Sequence, residues 1–290
     1  MADFLRQTAK SNGIPLTHAA LVLPSTEVFT RELVMPAMTE QQLLYNLPYE
    51  FRDYLTEEKN KYFFDYSMRE VLRDESGQPT EMNLLACATL KSTVESYRAM
   101  LRRAGFRLRV LTPSECAYSA VLQAYYRRTQ QEGRDLCVVN LGHSATFLYI
   151  YRGGHFASRR EIEVGMSDLE HLVADQCSVD VHVAHEYVRQ NYNHVLESEQ
   201  ARELYGHIAV EVVKAVNFFN YNNRERELTQ LCLCGGGSAI QPLYDTIADT
   251  TGMTLHTSAE LLGQRMSTEE PWMYLRAIGG VDLGIKGGLR

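Results

Sequence analysis

A run of three glycines, Gly235–Gly237, follows the apolar stretch Leu231–Cys234 and precedes Ser238. The apolar stretch predicts a buried strand, and Ser238 is a residue type that caps helices, so we predict a helix running through Leu243 and Ile247. Backbone N–H groups at such a turn can bind an anion, and glycines let a phosphate approach closely. The spacing fits neither a P-loop nor the dinucleotide fingerprint, so a tight turn that requires positive φ is an equal alternative.

A second glycine turn lies upstream, inside the apolar stretch Leu136–Tyr151. Apolar residues on both sides of Gly142–Ser144 predict two strands joined by a tight turn. Another turn at Gly153–Gly154 leads to a third predicted strand that ends near Ile162, and a helix then begins at Gly165. The sequence therefore places a three-stranded meander ahead of the glycine run.

A hairpin that turns on Gly-x-Ser and is followed by strand, Gly-Gly-Gly and helix resembles the pattern of actin-like ATPase domains. The resemblance implies an α/β, actin-like ATPase (ribonuclease H-like) fold in which the hairpin holds phosphates and the glycine run holds adenosine. ATP with Mg²⁺ is the implied cofactor. The implied contacts are Asn140, Gly142, His143, Ser144, Thr146, Gly235, Gly236, Gly237 and Ser238.

Within that superfamily, several short segments resemble the PilM family of type IV pilus assembly proteins, relatives of the cell-division protein FtsA. The segments lie in the family's order along nearly the whole chain: Leu33–Leu44, Phe64–Tyr66, Leu84–Thr89, Ala104–Phe106, Thr112–Ala117 and Ala277–Val281. The last two resemble the connecting helices of the fold. The resemblance implies an inserted subdomain of the 1C type, which distinguishes PilM and FtsA from actin.

One further pair of residues belongs to the implied nucleotide site. Glu211 and Lys214 are three apart on a long predicted helix and therefore share one face. In chaperones of the DnaK type, which share the actin-like fold, a similar Glu-x-x-Lys holds ribose and adenine. The alternative is an exposed salt bridge that contributes a few tenths of a kcal/mol.

Two departures from the family pattern lead us to expect no ATP hydrolysis, and hence no enzyme. Asn140 stands where actin-like ATPases usually carry an aspartate that positions hydrated magnesium, and a neutral amide is a weaker partner for a hard cation. The family's first phosphate loop should precede the helix predicted at residues 2–12, and no such segment is present in the sequence. We therefore expect a truncated first domain and weakened nucleotide binding, with no catalytic residue.

The predicted elements fall into two domains. Residues 1–130 form the reduced first domain, with the 1C-like block at about 14–107, and Gln130–Arg134 is the predicted linker into the second domain. Residues 131–290 form the second domain, and we place the long helix at 197–226 and the final helix near 271–284 in it. Alternating strands and helices favour a layered α/β fold.

Three elements of the first domain are predicted from local signals. Thr39 is predicted to cap an amphipathic helix that runs to about Leu55. A strand is predicted at about 80–90, and the helix that follows it is predicted to end at Gly105.

Composition excludes several classes of protein. A formal charge of −7 over 290 residues argues against a general nucleic-acid binder, and no apolar run reaches the ~20 residues that span a bilayer. The six cysteines lie in apolar stretches and predict buried side chains rather than a metal framework. His182 and His185 have a spacing that zinc can use, but a third ligand is not evident, and an exposed polar helix face is favoured.

The PilM resemblance implies a cytoplasmic scaffold recruited to the inner face of the cell membrane. Such proteins bind the short tail of a membrane partner, PilN, in a groove that involves the 1C subdomain, and other pilus motor proteins or a second copy are further partners. The aromatic residues between Tyr45 and Tyr66 could line such a groove, although most of them are expected in the core. The alternatives are an FtsA-like filament protein, a sugar or acetate kinase, and a secretion-system adaptor of the GspL type.

Overall fold

The structure is a computed structural model that describes residues 1–131, 133–224, 227–265 and 269–286. The chain divides into two compact units. The first contains residues 1–120 and the segment that begins at Arg276, and the second contains residues 121–275. The boundary therefore lies inside a helix, whereas the sequence predicted a linker at Gln130–Arg134.

The first unit contains two sheets and the helices that cover them. Its elements are α1 (Ala2–Ser11), β1 (His18–Leu23), β2 (Phe29–Pro36), α2 (Glu40–Glu50), β3 (Tyr62–Arg73), β4 (Pro79–Leu90), α3 (Lys91–Ala104), β5 (Arg107–Pro113) and the start of α4 (Ser114–Thr129). Strand β1 pairs in parallel with β5, and a separate antiparallel sheet has the order β2-β4-β3. The predicted block at 14–107 is thus divided between two sheets.

The three-stranded sheet and α2 share a hydrophobic core of their own. Leu43, Leu47 and Phe51 from the α2 side pack against Leu84 and Ala86 from the central strand β4. Helix α2 begins with the predicted cap at Thr39, whose backbone N–H and hydroxyl make a capping box with Gln42. The helix ends at Glu50, earlier than the predicted Leu55, because the chain turns there to bury Phe51 completely. This subdomain lies within the block at 14–107 for which a 1C-type insertion was predicted.

The second unit is built on one five-stranded sheet. Its elements are β6 (Leu136–Leu141), β7 (Thr146–Arg152), β8 (His155–Ile162), α5 (Met166–Cys177), α6 (Val181–Gln190), α7 (Glu199–Asn222), β9 (Gln230–Cys234), α8 (Gln241–Thr251), β10 (Thr254–His256) and α9 (Ser258–Leu262). The strand order is β10-β9-β6-β7-β8, with β6, β9 and β10 parallel. Helix α7 ends at Asn222, before the predicted 226, and residues 225 and 226 lie outside the described range.

The last helix, α10 (Leu275–Lys286), differs most from the prediction. A short 3₁₀ turn at Pro271–Met273 precedes it, and from Arg276 onward the segment belongs to the first unit rather than to the second. The reason is close helix packing, because a Cβ atom at Gly279 would overlap the carbonyl oxygen of Ala117 on α4. A Cβ atom at Gly280 would lie 2.9 Å from Val22 Cγ2. The two glycines therefore let α10 approach α4 and β1 closely.

All six cysteines are free thiols, and Cys137, Cys232 and Cys234 are buried in the sheet of the second unit. Burial raises the pKa of Cys87 to about 12 and that of Cys116 to about 11. These thiols are therefore protonated at neutral pH and behave as small apolar side chains.

Candidate functional site

The fold brings the two predicted glycine turns together. Strands β6 and β9 run in parallel, with Val139 opposite Leu233 and Asn140 opposite Cys234. Because parallel strands end at the same edge of a sheet, the hairpin turn after β6 and the glycine run after β9 are neighbours. The sequence predicted both turns, and the register of the sheet places them side by side.

The hairpin turn is held in place by the start of α5. The backbone N–H of Met166 donates to the carbonyl oxygen of Gly142 (3.0 Å), and that of Ser167 donates to His143 (2.8 Å). A Cβ atom at Gly165 would overlap the His143 carbonyl oxygen, so only glycine allows this approach. His143 and Ser144 are exposed, and no described residue accepts a hydrogen bond from either backbone N–H. These two donors are available to an anion.

The glycine run forms a different turn from the predicted one. Residues Gly236–Ala239 form a 3₁₀ turn, and α8 begins only at Gln241, with Ile240 at the N-cap and no side-chain cap. The predicted cap at Ser238 is wrong, because its hydroxyl donates to the carbonyl oxygen of Gly235 instead (2.7 Å). Pro242 in the first turn of α8 supplies the fixed φ that starts the helix.

Two of the three glycines in the run are required by packing. Gly235 has φ of +83°, and a Cβ atom there would overlap Asn140 Oδ1 and lie 2.6 Å from the Leu141 carbonyl oxygen. A Cβ atom at Gly237 would lie 2.7 Å from Met166 Sδ and 2.8 Å from Leu141 Cβ. Gly236 is exposed, with nothing within 4 Å of its Cβ position. The glycine run therefore packs on the hairpin turn and leaves only its middle residue open.

Two of the predicted nucleotide contacts, Asn140 and Thr146, fit a nucleotide less well. Asn140 is partly exposed, and its Oδ1 accepts a weak hydrogen bond from Cys234 Sγ at 4.0 Å. Thr146 is completely buried, and within the described part of the chain its hydroxyl has no partner. The hairpin thus offers backbone donors to a phosphate, but Asn140 offers no carboxylate to Mg²⁺.

Glu211 and Lys214 lie on α7 of the second unit. They form the salt bridge that was the alternative prediction, with Lys214 Nζ 2.7 Å from Glu211 Oε1. The pKa of Glu211 is lowered, mainly because its carboxylate accepts this hydrogen bond from Lys214. The pair lines a cavity of ≈ 590 Å³ together with Arg159 and Arg160, and neither glycine turn contributes to its described lining. Strand β8, which lines the same cavity, lies beside β7 and three strand positions from β9, roughly 14 Å. The assignment of Glu211 and Lys214 to a nucleotide site stays a prediction.

A buried carboxylate beside the hairpin turn was missed by the sequence analysis. Glu170 on α5 is 7% exposed, and His185 Nδ1 lies 2.8 Å from its Oε1. His143 Nδ1 of the hairpin turn lies 3.7 Å from the same oxygen. His185 therefore pairs with Glu170, and among the described residues no group of three such side chains could hold a metal ion. The available signal was spacing, because Glu170 lies four residues after Met166 and three before Val173 and therefore shares their face of the predicted helix.

The aromatic stretch of the first unit divides into core and surface residues. Phe51 and Tyr62 are in the core, whereas Tyr45 is 71% exposed and Tyr49 and Tyr54 are each 47% exposed. Lys59 Nζ donates to the Tyr49 hydroxyl at 3.1 Å, which lowers the pKa of that tyrosine. The outer side of α2 therefore carries solvent-facing tyrosines beside cations.

The paired glycine turns at the ends of β6 and β9, on a two-unit α/β framework, define the class as actin-like. The chain belongs to the type IV pilus assembly protein PilM family, whose model matches residues 1–270. The predicted family and fold class are thereby confirmed.

One solved structure supports this fold, and two others match more weakly. A structure described as a PilM-PilN type IV pilus biogenesis complex matches with a TM-score of 0.78 and 18% identity, covering 100% of this chain and 85% of the other. The ethanolamine utilization protein EutJ from Carboxydothermus hydrogenoformans matches at 13% identity, covering 97% and 98%, with a TM-score of 0.49. The archaeal actin homolog Ta0583 matches at 14% identity, covering 76% and 91%, with a TM-score of 0.47. No curated protein matches the chain.

Proposed function

We propose that this protein is a cytoplasmic scaffold of a type IV pilus assembly platform. It binds the short cytoplasmic tail of a PilN-like membrane protein and is recruited in this way to the inner face of the membrane. The observation that supports this most is the family match over residues 1–270, together with a fold that matches a PilM-PilN complex structure over 100% of this chain and 85% of the other. In the described part of the chain, no helix has the length and apolarity to cross a bilayer.

The tail-binding surface that we propose is the exposed aromatic side of α2 in the first unit. The rings of Tyr45 and Tyr49 are neighbours in a tilted arrangement, with centroids 6.1 Å apart. Lys59 Nζ lies 4.3 Å from the centre of the Tyr49 ring. Exposed tyrosines supply apolar area and a hydrogen-bonding hydroxyl, which suits the capture of an extended peptide. Strands β2 and β3 are the outer strands of the adjacent sheet, so both present backbone donors and acceptors at an edge.

Replacing Tyr45 and Tyr49 together by alanine should weaken tail binding by about tenfold or more, since exposed aromatic side chains dominate such interfaces. The measurement is fluorescence anisotropy with a labelled peptide of the N-terminal cytoplasmic residues of the PilN-like protein from the same organism. Tyr221→Ala is the matched control, because Tyr221 is 68% exposed but lies on α7 of the second unit. Equal affinities for the double variant and the original chain would contradict the proposed surface. ATP-driven assembly into sedimentable filaments would favour the FtsA-like alternative.

We further infer that the chain binds ATP weakly or not at all and does not hydrolyse it. The support for this is the neutral side chain at Asn140 and the complete burial of Thr146. Asn140→Asp should introduce magnesium-dependent ATP binding or increase it by about tenfold, because a carboxylate favours a hydrated Mg²⁺ ion. Isothermal titration with and without MgCl₂ tests this, with Asn140→Ala as the uncharged control. Turnover of ATP by the unsubstituted chain would overturn the inference.

A further inference from the structure

We propose that the second unit carries a separate docking site for an acidic, extended segment of a partner protein. The site is the groove between α7 and the outer edge of β8, with a volume of ≈ 590 Å³. We call it the α7–β8 groove. The residues that carry the argument are Arg159, Arg160, Ile162, Glu211, Lys214 and Phe218, all of which line it.

The groove is locally positive on an acidic chain. Three cationic residues line it (Arg159, Arg160 and Lys214) against the two carboxylates Glu161 and Glu211, whereas the whole chain has a formal charge of −7. Lys214 is already paired with Glu211 at 2.7 Å. Arg160 is exposed and forms no ion pair with any described residue, and its guanidinium lies 6.0 Å from the centre of the Phe218 ring. An arginine held over an aromatic ring can bind a carboxylate in bidentate geometry, with its N–H groups donating to both carboxylate oxygens.

On the helix side, Phe218 lines the groove and belongs to a row of exposed apolar residues that continues beyond the groove along α7. Val210, Phe218 and Tyr221 are 43%, 66% and 68% exposed. Together with Lys214 they are spaced by four, four and three residues, so they share one face of α7. The other face of the helix packs into the core through residues such as Tyr205, Val212 and Phe219. A row of large exposed apolar side chains rimmed by charges is typical of a protein interaction site.

The strand side of the groove provides a backbone template. Strand β8 is the last strand of the sheet, and none of the described strands pairs with its outer edge. An added strand could hydrogen-bond to that edge, and its alternate side chains would then face α7. Acidic side chains at some of these positions would meet Arg160, and an apolar one would meet Phe218. The charge of the groove thus selects an acidic peptide over a basic one, and the strand edge selects an extended one over a helix.

Binding of a defined probe tests the proposal. The probe is a fluorescein-labelled peptide of about ten residues that alternates glutamate with valine and has one central phenylalanine; the matched probe has lysine in place of glutamate. We expect saturable anisotropy with the acidic probe only, weakening as salt rises. Arg160→Glu should reduce the affinity by about tenfold and Phe218→Ala by roughly threefold or more. Arg202→Glu, an exposed position earlier on α7, should change the affinity less than about twofold.

Several outcomes would overturn the proposal: no saturation with the acidic probe up to about 1 mM, equal binding of the lysine probe, or an unchanged affinity for Arg160→Glu. Competition by ATP would instead assign the groove to a nucleotide and support the predicted role of Glu211 and Lys214. A photoreactive group at the probe's phenylalanine should crosslink to the 210–221 segment of α7. The same Arg160→Glu variant should bind the PilN-like tail normally, so the two proposals succeed or fail separately.

Discussion

Gly279→Ala is expected to lower the free energy of unfolding of the first unit by roughly 2–4 kcal/mol. Alanine normally favours a helix interior, but here the added Cβ atom would overlap the carbonyl oxygen of Ala117, and a main-chain atom cannot move aside by changing rotamer. Either α10 shifts away from α4 or the first unit loses packing around this contact. The overlap therefore outweighs the gain in helix propensity.

Gly206→Ala is the matched control, since Gly206 also lies inside a helix, α7, but has nothing within 4 Å of its Cβ position. We expect it to raise stability by about 0.5–1 kcal/mol, the usual gain of alanine over glycine. Urea denaturation followed by far-UV circular dichroism reports on both units, while fluorescence of Trp272, the chain's one tryptophan, reports on the second. Gly279→Ala should shift the urea midpoint measured by circular dichroism more than the midpoint measured by Trp272 fluorescence. Equal effects of the two substitutions would show that the α4–α10 contact does not require glycine.

Gly235→Ala should destabilise the second unit by a similar amount, roughly 2–4 kcal/mol. Two costs combine at this position, because the residue has φ of +83° and its Cβ atom would overlap Asn140 Oδ1. The backbone N–H of Gly235 also donates to the Trp272 carbonyl oxygen (3.2 Å), so Trp272 fluorescence should report the change directly. The substitution should therefore separate the glycine run from the hairpin turn.

The adjacent Gly236 distinguishes a packing role from a general need for glycine. Gly236→Ala meets open space, so we expect a change of less than about 0.5 kcal/mol, typical of surface positions. In thermal unfolding monitored by Trp272 fluorescence, the midpoint temperature of Gly235→Ala should lie well below that of the unsubstituted chain. The midpoint temperature of Gly236→Ala should lie close to it. If both substitutions are tolerated, the convergence of the two turns depends on contacts other than the glycine backbone.

The strands and most helices could be predicted because their signals are local. The strand predicted at 80–90, the Thr39 cap and the glycine at the end of α3, Gly105, all depend on neighbouring residues. The helix start after the glycine run was harder, because Ser238 and Pro242 both favour a start and only the three-dimensional turn shows that the serine hydroxyl bonds to Gly235. Which of two plausible residues begins a helix is decided by the tertiary fold.

The candidate site was predicted only where it follows from the order of the strands. The adjacency of the hairpin and glycine turns requires only that β6 and β9 be parallel neighbours. The position of Glu211 and Lys214 depends on which strands α7 crosses, and helical periodicity carries no information on that. The pairing of Glu170 with His185 joins two helices, and no local pattern indicates such a contact. Side chains brought together by helix packing are thus the part that the sequence did not reveal.

The return of α10 to the first unit also has a consequence for the order of folding. Gly279 contacts Ala117 across a long intervening segment of the chain. If that segment were flexible, the conformational entropy lost on closing it would oppose formation of the contact. If the second unit folds first, it draws its two ends together and removes most of that cost. We therefore expect stopped-flow refolding to show the Trp272 signal first and the completion of the first unit later, with Gly279→Ala changing only the later phase.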